Sequence, residues 1–220
     1  MERRKAAKAV GRGGRPSRAD SLRLRQRILE VATGLFLAEG YGSTTIEAVA
    51  ARAGISKRTF YHRFDDKSAL FAAVVHRIIE QIRPPAGVPL IEGVSLREVL
   101  RRLAGMMLRA ALSPQAIALH RLVMAESARF PELARAVNGD GSAREASTLI
   151  GGLLARELRD SKLSADNRAF AAEQFIFMVV TLPQRRAMGY GKPMTAAELD
   201  VWADKAVGLF LNGCRGWTAH

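Results

Sequence analysis

A single cysteine, Cys214, stands among 220 residues, so there is no internal disulfide framework. That usage agrees with a reducing compartment, and the expected location is the cytoplasm. Aromatics make up only 6% of the chain. No run reaches the roughly 18 apolar residues that suggest a membrane span. The basic N-terminus lacks the apolar stretch of a secretory signal. Gly and Pro, at 19 and 8 residues, are too few for a disordered chain. No Walker loop, G-x-S-x-G or H-E-x-x-H occurs, and the histidines His62, His76, His120 and His220 lack metal-ligand spacing. These absences argue against an enzyme, a metal site or a cofactor. No stretch alternates with period two, which leaves an all-α chain.

Positive charge is what the chain has in excess. The formal net charge is +13. Residues 3–27 carry ten Lys or Arg against one acid, Asp20, and such an arm suggests a polyanionic partner. An anionic membrane surface would need bulky apolar residues beside the charges. "KAAKAVGRGG" offers alanines and one valine, so nucleic acid is favoured and no membrane partner is expected.

Residues 1–20, rich in glycine and arginine, read as a flexible basic arm. A helix is predicted from near Ser21 to the glycines at 40 and 42. In "STTIEAVAARAGIS", Thr44 and Glu47 have the spacing of a capping box. Gly54 then supplies a left-handed stop, and Ser56 caps a new helix with Phe60 and Phe64 on one face. A short helix, a glycine turn and a second short helix make the helix-turn-helix pattern. Asp65 or Asp66 caps the next helix. "RPPAGVPLIEGV", with three prolines, marks a boundary. The predicted organisation is therefore a head over 21–83 and a second helical domain over 95–213. In the latter, Ser95 and Glu98 suggest another capping box, Ser113 and Pro114 a capped start, and Gly213 the last helix stop.

The stretch "ILEVATGLFLAEGYGSTTIEAVAARAGISKRTFYHRFDDKSALFAAVV" closely resembles the N-terminal domain of the TetR/AcrR family of bacterial transcriptional regulators. The second half is similar, more loosely, to that family's ligand-binding and dimerisation domain. "LHRLVMAESARFPELARAV" is similar to the AefR-like subgroup. The resemblance implies an N-terminal three-helix helix-turn-helix head linked to a larger helical domain. It implies a homodimer on a pseudo-palindromic double-stranded DNA operator and a small-molecule effector of unknown identity. A repressor released by its ligand is the reading it favours, with an activator or a ligand-independent regulator as the alternative.

Within that reading, 56–64 is the recognition helix. Lys57 and Arg58 would donate to guanine O6 and N7, Thr59 would touch a thymine methyl, and Ser56 lies in the same first turn. Tyr61, Arg63 and Lys67 would reach phosphates, as would Thr44 or Thr45. Many family members have Tyr-Tyr-His-Phe where this chain has Tyr61-His62-Arg63-Phe64, and His62 is expected near solvent or phosphate. Arg12 and Arg15 of the arm would enter a minor groove or attract phosphates. Leu103, Met106, Met107, Leu119, Leu122, Val123, Phe175 and Phe177 are candidates for an apolar ligand pocket, with His120 and Glu126 as its polar members; ordinary core is the alternative for each. Residues 169–182 are apolar on more than one face. Phe170, Phe175 and Val179, with Trp202, Leu209 and Phe210 of the last helix, are the candidate dimer interface.

Overall fold

Helix ends account for much of the architecture. The computed structural model describes residues 17–83, 95–139, 141–157 and 164–213, and among them every regular element is an α-helix. These are α1 (Arg18–Glu39), α2 (Ile46–Arg52), α3 (Lys57–Tyr61), α4 (Lys67–Ile82), α5 (Leu96–Ala111), α6 (Pro114–Glu126), α7 (Pro131–Gly139), α8 (Ser142–Glu157), α9 (Ala165–Ala187) and α10 (Ala196–Asn212). The arm through residue 16, with Arg12 and Arg15, and Cys214 lie outside the described residues.

Most starts obey a side-chain cap, which satisfies an N–H that the helix itself leaves orphaned. α1 begins earlier than expected because the Ser17 hydroxyl accepts from the Asp20 N–H at 3.1 Å. The cap of α2 is Thr45, whose hydroxyl accepts from the Ala48 N–H at 3.1 Å, and not Thr44. Thr44 is fully buried and donates its hydroxyl to the Gly40 carbonyl at 2.7 Å. Glu47 therefore closes no capping box and pairs instead with Lys57. Ser95 caps α5 as expected. Glu98, however, turns away to accept from Arg101 and Arg102, bonds that draw its carboxyl down to about 2. The complete box is at Thr195 and Glu198.

Two buried clusters form. One gathers α1 to α4 around Phe36, Phe60 and Phe71, and it also takes in Leu119 and Leu122 of α6 and Leu133 of α7. The other joins α5, α8, α9 and α10 around Leu100, Ile150, Phe175 and Val207. The helices of the head thus share one core with α6 and α7.

α9 runs through Pro183. Proline has no N–H to give the carbonyl four residues back, and that carbonyl belongs to Val179. The Trp202 Nε1–H of α10 donates to it at 2.9 Å, so the bond that proline removes is replaced across the helix pair. A Trp202→Phe variant should lose about 1–3 kcal/mol by orphaning that carbonyl. The loss should shrink in a Pro183→Ala background, where residue 183 regains its N–H. Urea unfolding of the double-mutant cycle checks this, and additive effects would refute the replacement.

Candidate nucleic-acid interface

The turn between α2 and α3 depends on Gly54, whose φ of +65° is cheap only without a Cβ. The Ile55 N–H then closes on the Ala50 carbonyl at 3.0 Å. Ser56 caps α3, its hydroxyl accepting from the Thr59 N–H at 3.1 Å and lying 2.9 Å from the Thr59 hydroxyl. Phe60 and Phe64 are buried with ring centroids 5.6 Å apart, and they anchor one side of the short helix. The opposite side presents Ser56, Lys57, Arg58, Tyr61 and His62 to solvent, with Thr59 half-buried.

The charges on that face are not equivalent. The Arg58 guanidinium has no hydrogen-bond or ion-pair partner among the described residues, so its donors are available. Lys57 is paired with Glu47 of α2 at 2.5 Å. This bond pulls the Glu47 carboxyl down and pushes the Lys57 ammonium up. Arg63 is half-buried and points its Nη2 at the Ser21 hydroxyl, 3.4 Å away.

Two expected phosphate contacts face inward. The Thr44 hydroxyl is used up inside its loop, while Thr45, one residue on, is exposed. Lys67 donates to the carbonyls of Tyr41 at 3.0 Å and Thr44 at 3.1 Å, with its Nζ 4.4 Å from the Tyr41 ring centroid. Burial lowers its pKa, partly offset by Glu126 and Glu132. Its Nζ is thus held between a carbonyl pair and an aromatic face.

That lysine belongs to a junction which sequence reasoning missed. The Tyr41 ring stacks on Phe36 at 5.5 Å and meets Phe71 and Phe130 edge-on at 5.4 and 5.0 Å. Its hydroxyl donates to Glu132 of α7 at 3.2 Å. Burial first, then the Glu132 charge, raises its pKa. Glu126, at the end of α6, accepts from the Tyr41 N–H at 2.8 Å with one carboxylate oxygen and from the Gly42 N–H at 2.7 Å with the other. Glu126 therefore faces the head and not a ligand pocket. The available signal was the lone carboxylate of α6, close before an aromatic residue and a second acid.

A cavity of about 410 Å³ lies between α4, α5, α8 and α9. Leu103, Met106 and Met107 line it, together with Ile79, Ile82, Leu149, Ile176 and Val180. The other candidates do not line it. Leu119, Leu122 and Val123 pack in the core shared with the head. His120 is half-buried on α6, with burial lowering its pKa. Phe175 is fully buried among α5, α9 and α10. Phe177 is 62% exposed on the outside of α9.

The same register revises the other α9 assignments. Phe175 and Val179 are fully buried within the protomer, and Trp202 is bonded to Val179. Leu209 and Phe210 are half-buried, Phe210 packing on Phe175 at 4.9 Å. Phe170 is 63% exposed and lies two turns from Phe177, hence on the same face.

Comparison with known proteins gives two family matches. Residues 28–74 match the bacterial regulatory proteins of the tetR family. Residues 98–213, more than half of the chain, match the C-terminal domain of AefR-like transcriptional repressors. The chain is 29% identical over 114 residues to the HTH-type transcriptional regulator UidR of Escherichia coli strain K12. That match takes in 50% of this chain and spans 55% of UidR. Among solved structures, it resembles a TetR-family transcriptional regulator from Mesorhizobium loti MAFF303099 with TM-score 0.69 and 29% identity, over 89% of this chain and 97% of that one. The flavonoid-responsive regulator FrrA aligns with TM-score 0.70 and 28% identity, over 86% and 95% of the two chains.

Two substitutions check the inward-facing groups. Lys67→Met should lower stability by about 1–3 kcal/mol yet leave the salt dependence of DNA binding unchanged; a flatter salt slope at unchanged stability would mean that Lys67 meets phosphate. Glu126→Ala should speed hydrogen exchange at the Tyr41 and Gly42 amides well before the rest of α1 and α2. Uniform acceleration across the head would show that Glu126 contributes only general stability.

Proposed function

The chain belongs to the tetR family of bacterial regulatory proteins, with a C-terminal domain of the AefR-like type, and on that premise we propose that it is a sequence-specific, DNA-binding transcriptional repressor. It acts in the cytoplasm as a homodimer, each head spanning residues 21–83 and each C-terminal domain residues 95–213. The single observation that carries the reading is the exposed side of α3, where Arg58 stands unpaired beside Ser56 and Lys57 on a helix held by Phe60 and Phe64. An arginine so placed can bridge O6 and N7 of one guanine in the major groove. Lys57, Thr59, Tyr61, His62 and Thr45 complete the DNA-facing set, and Arg15 would add attraction from the arm.

The dimer reading draws support from α9, where Phe170 and Phe177 form an exposed apolar stripe, and from Val201 on α10, 55% exposed. Two heads on one operator must sit about 34–36 Å apart to enter successive major grooves. A small molecule in the cavity would release DNA by favouring another head separation, which requires that it bind the two arrangements with different affinity.

Fluorescence anisotropy against DNA from upstream of the protein's own gene, beside a scrambled duplex, tests the reading. Two protomers per site should bind the native fragment with a wide margin over scrambled DNA. Arg58→Ala should weaken native binding by roughly 5- to 150-fold, the equivalent of about 1–3 kcal/mol, and leave scrambled binding nearly unchanged. Equal loss on both duplexes would reduce Arg58 to a phosphate contact and remove the basis for base readout.

A further inference from the structure

The cavity lining specifies a ligand chemistry. Its walls are aliphatic, with Met106, Met107, Leu149 and Ile176 among them, and no aromatic ring lines it among the described residues. A flat aromatic molecule would find no stacking surface there, whereas methionines adapt to a flexible chain. A volume of about 410 Å³, set against the ~30 Å³ a water occupies in the liquid, has room for a chain of about a dozen carbon atoms.

Among the described residues the lining has two charged members, Arg83 and Glu145. Arg83, just past the end of α4, approaches Glu145 of α8 at 3.2 Å and Glu80 at 3.3 Å, both through Nη2. Neither approach has hydrogen-bond geometry among the described residues. A guanidinium carries five donors in a fork that fits a carboxylate in bidentate fashion, so Nε and Nη1 remain to be used. Glu145 is 64% exposed on its side chain and can turn to water when another carboxylate takes its place.

We propose that the cavity binds an aliphatic carboxylate, its chain among Met106, Met107, Leu149 and Ile176 and its head on Arg83 in place of Glu145. The proposal rests on the ligand-released reading above and names the class of ligand. Exchange of Glu145 for the ligand also removes the ion pair that ties α8 to the end of α4, so occupation changes what α4 is fastened to.

Calorimetry on the full chain with decanoate, 1-decanol, decylamine and 2-naphthoate, each below its aggregation concentration, tests this. Decanoate should bind at least tenfold tighter than the alcohol and the naphthoate, and the amine weakest. Arg83→Gln should bring decanoate down to the level of decanol while leaving decanol unchanged. Glu145→Gln, which removes the competing carboxylate, should tighten decanoate several-fold, and Ala110→Phe, which fills the cavity, should abolish binding of both. Equal binding of acid and alcohol, preference for the amine or the naphthoate, or decanoate binding indifferent to Arg83 and Glu145 would overturn the proposal. So would a chain that binds none of the probes while some other molecule frees it from DNA, an outcome that leaves the regulator reading intact. Decanoate binding of the expected pattern with no change in DNA affinity would sustain the site and overturn ligand release by it.

Discussion

The carboxylate of Glu126 on the amides of Tyr41 and Gly42 is the contact around which the head is set. α1 ends at Gly40, whose φ is +88° and whose N–H returns to Phe36. The next two N–H groups point out of the loop with no helical acceptor, and a partly buried donor left unmade costs about 1–3 kcal/mol. Glu126 supplies both acceptors from α6, and the approach is close. A Cβ on Gly40 would lie 2.7 Å from one carboxylate oxygen, and on Gly42 3.1 Å from the other and from the Phe130 ring. Glycine at 40 answers a backbone conformation and a contact together; glycine at 42 answers the contact. Tyr41 between them has its N–H, carbonyl, hydroxyl and ring all engaged, by Glu126, Lys67, Glu132 and three aromatic neighbours. The entry to α2, and through the Gly54 turn the attitude of α3, follow from where that loop is held.

α4 connects this junction to the cavity. Its first turn carries Lys67, fixed on the Tyr41 and Thr44 carbonyls, and its end carries Ile79, Ile82 and Arg83 on the cavity wall. Sixteen residues at 1.5 Å each make a rod of about 24 Å. A helix of that length transmits a tilt without needing a chain of intermediate contacts. On the proposal of a ligand-released regulator, coupling between ligand and DNA would reduce to whether two arrangements of α4 differed in what they offer at Arg83.

Local chemistry was legible in the sequence and long-range pairing was not. Caps at Ser56, Asp66, Ser95 and Ser113 could be read because a cap needs only its own next three residues. The choice between Thr44 and Thr45 failed because both can cap, and burial of one hydroxyl against Gly40 decides it. Lys67 shows a similar limit: its place beside the recognition helix does not reveal that the Tyr41 and Thr44 carbonyls hold its Nζ. Glu126 lies 85 residues from Tyr41, and no periodicity links them. On α9, apolar residues occupy more than one face, so spacing could not separate the buried Phe175 and Val179 from the exposed Phe170 and Phe177. The consequence of Pro183, a carbonyl given to Trp202, appears only when α10 is laid beside α9.

The pairing of Lys57 with Glu47 bears on how such a face would discriminate. As an exposed ion pair it adds little to stability. In a complex with DNA, however, Lys57 could reach a base or phosphate only by leaving Glu47, and the freed carboxylate would then stand close to a polyanion. A guanine within reach of Lys57 would repay that cost, whereas on a mismatched sequence Lys57 would stay with Glu47 and add nothing to the complex. Arg58, whose guanidinium has no internal partner, would read its guanine without such a cost. One side chain would read freely and its neighbour only above a threshold, so the acid on α2 would sharpen discrimination by withholding Lys57 from sequences that offer it no guanine.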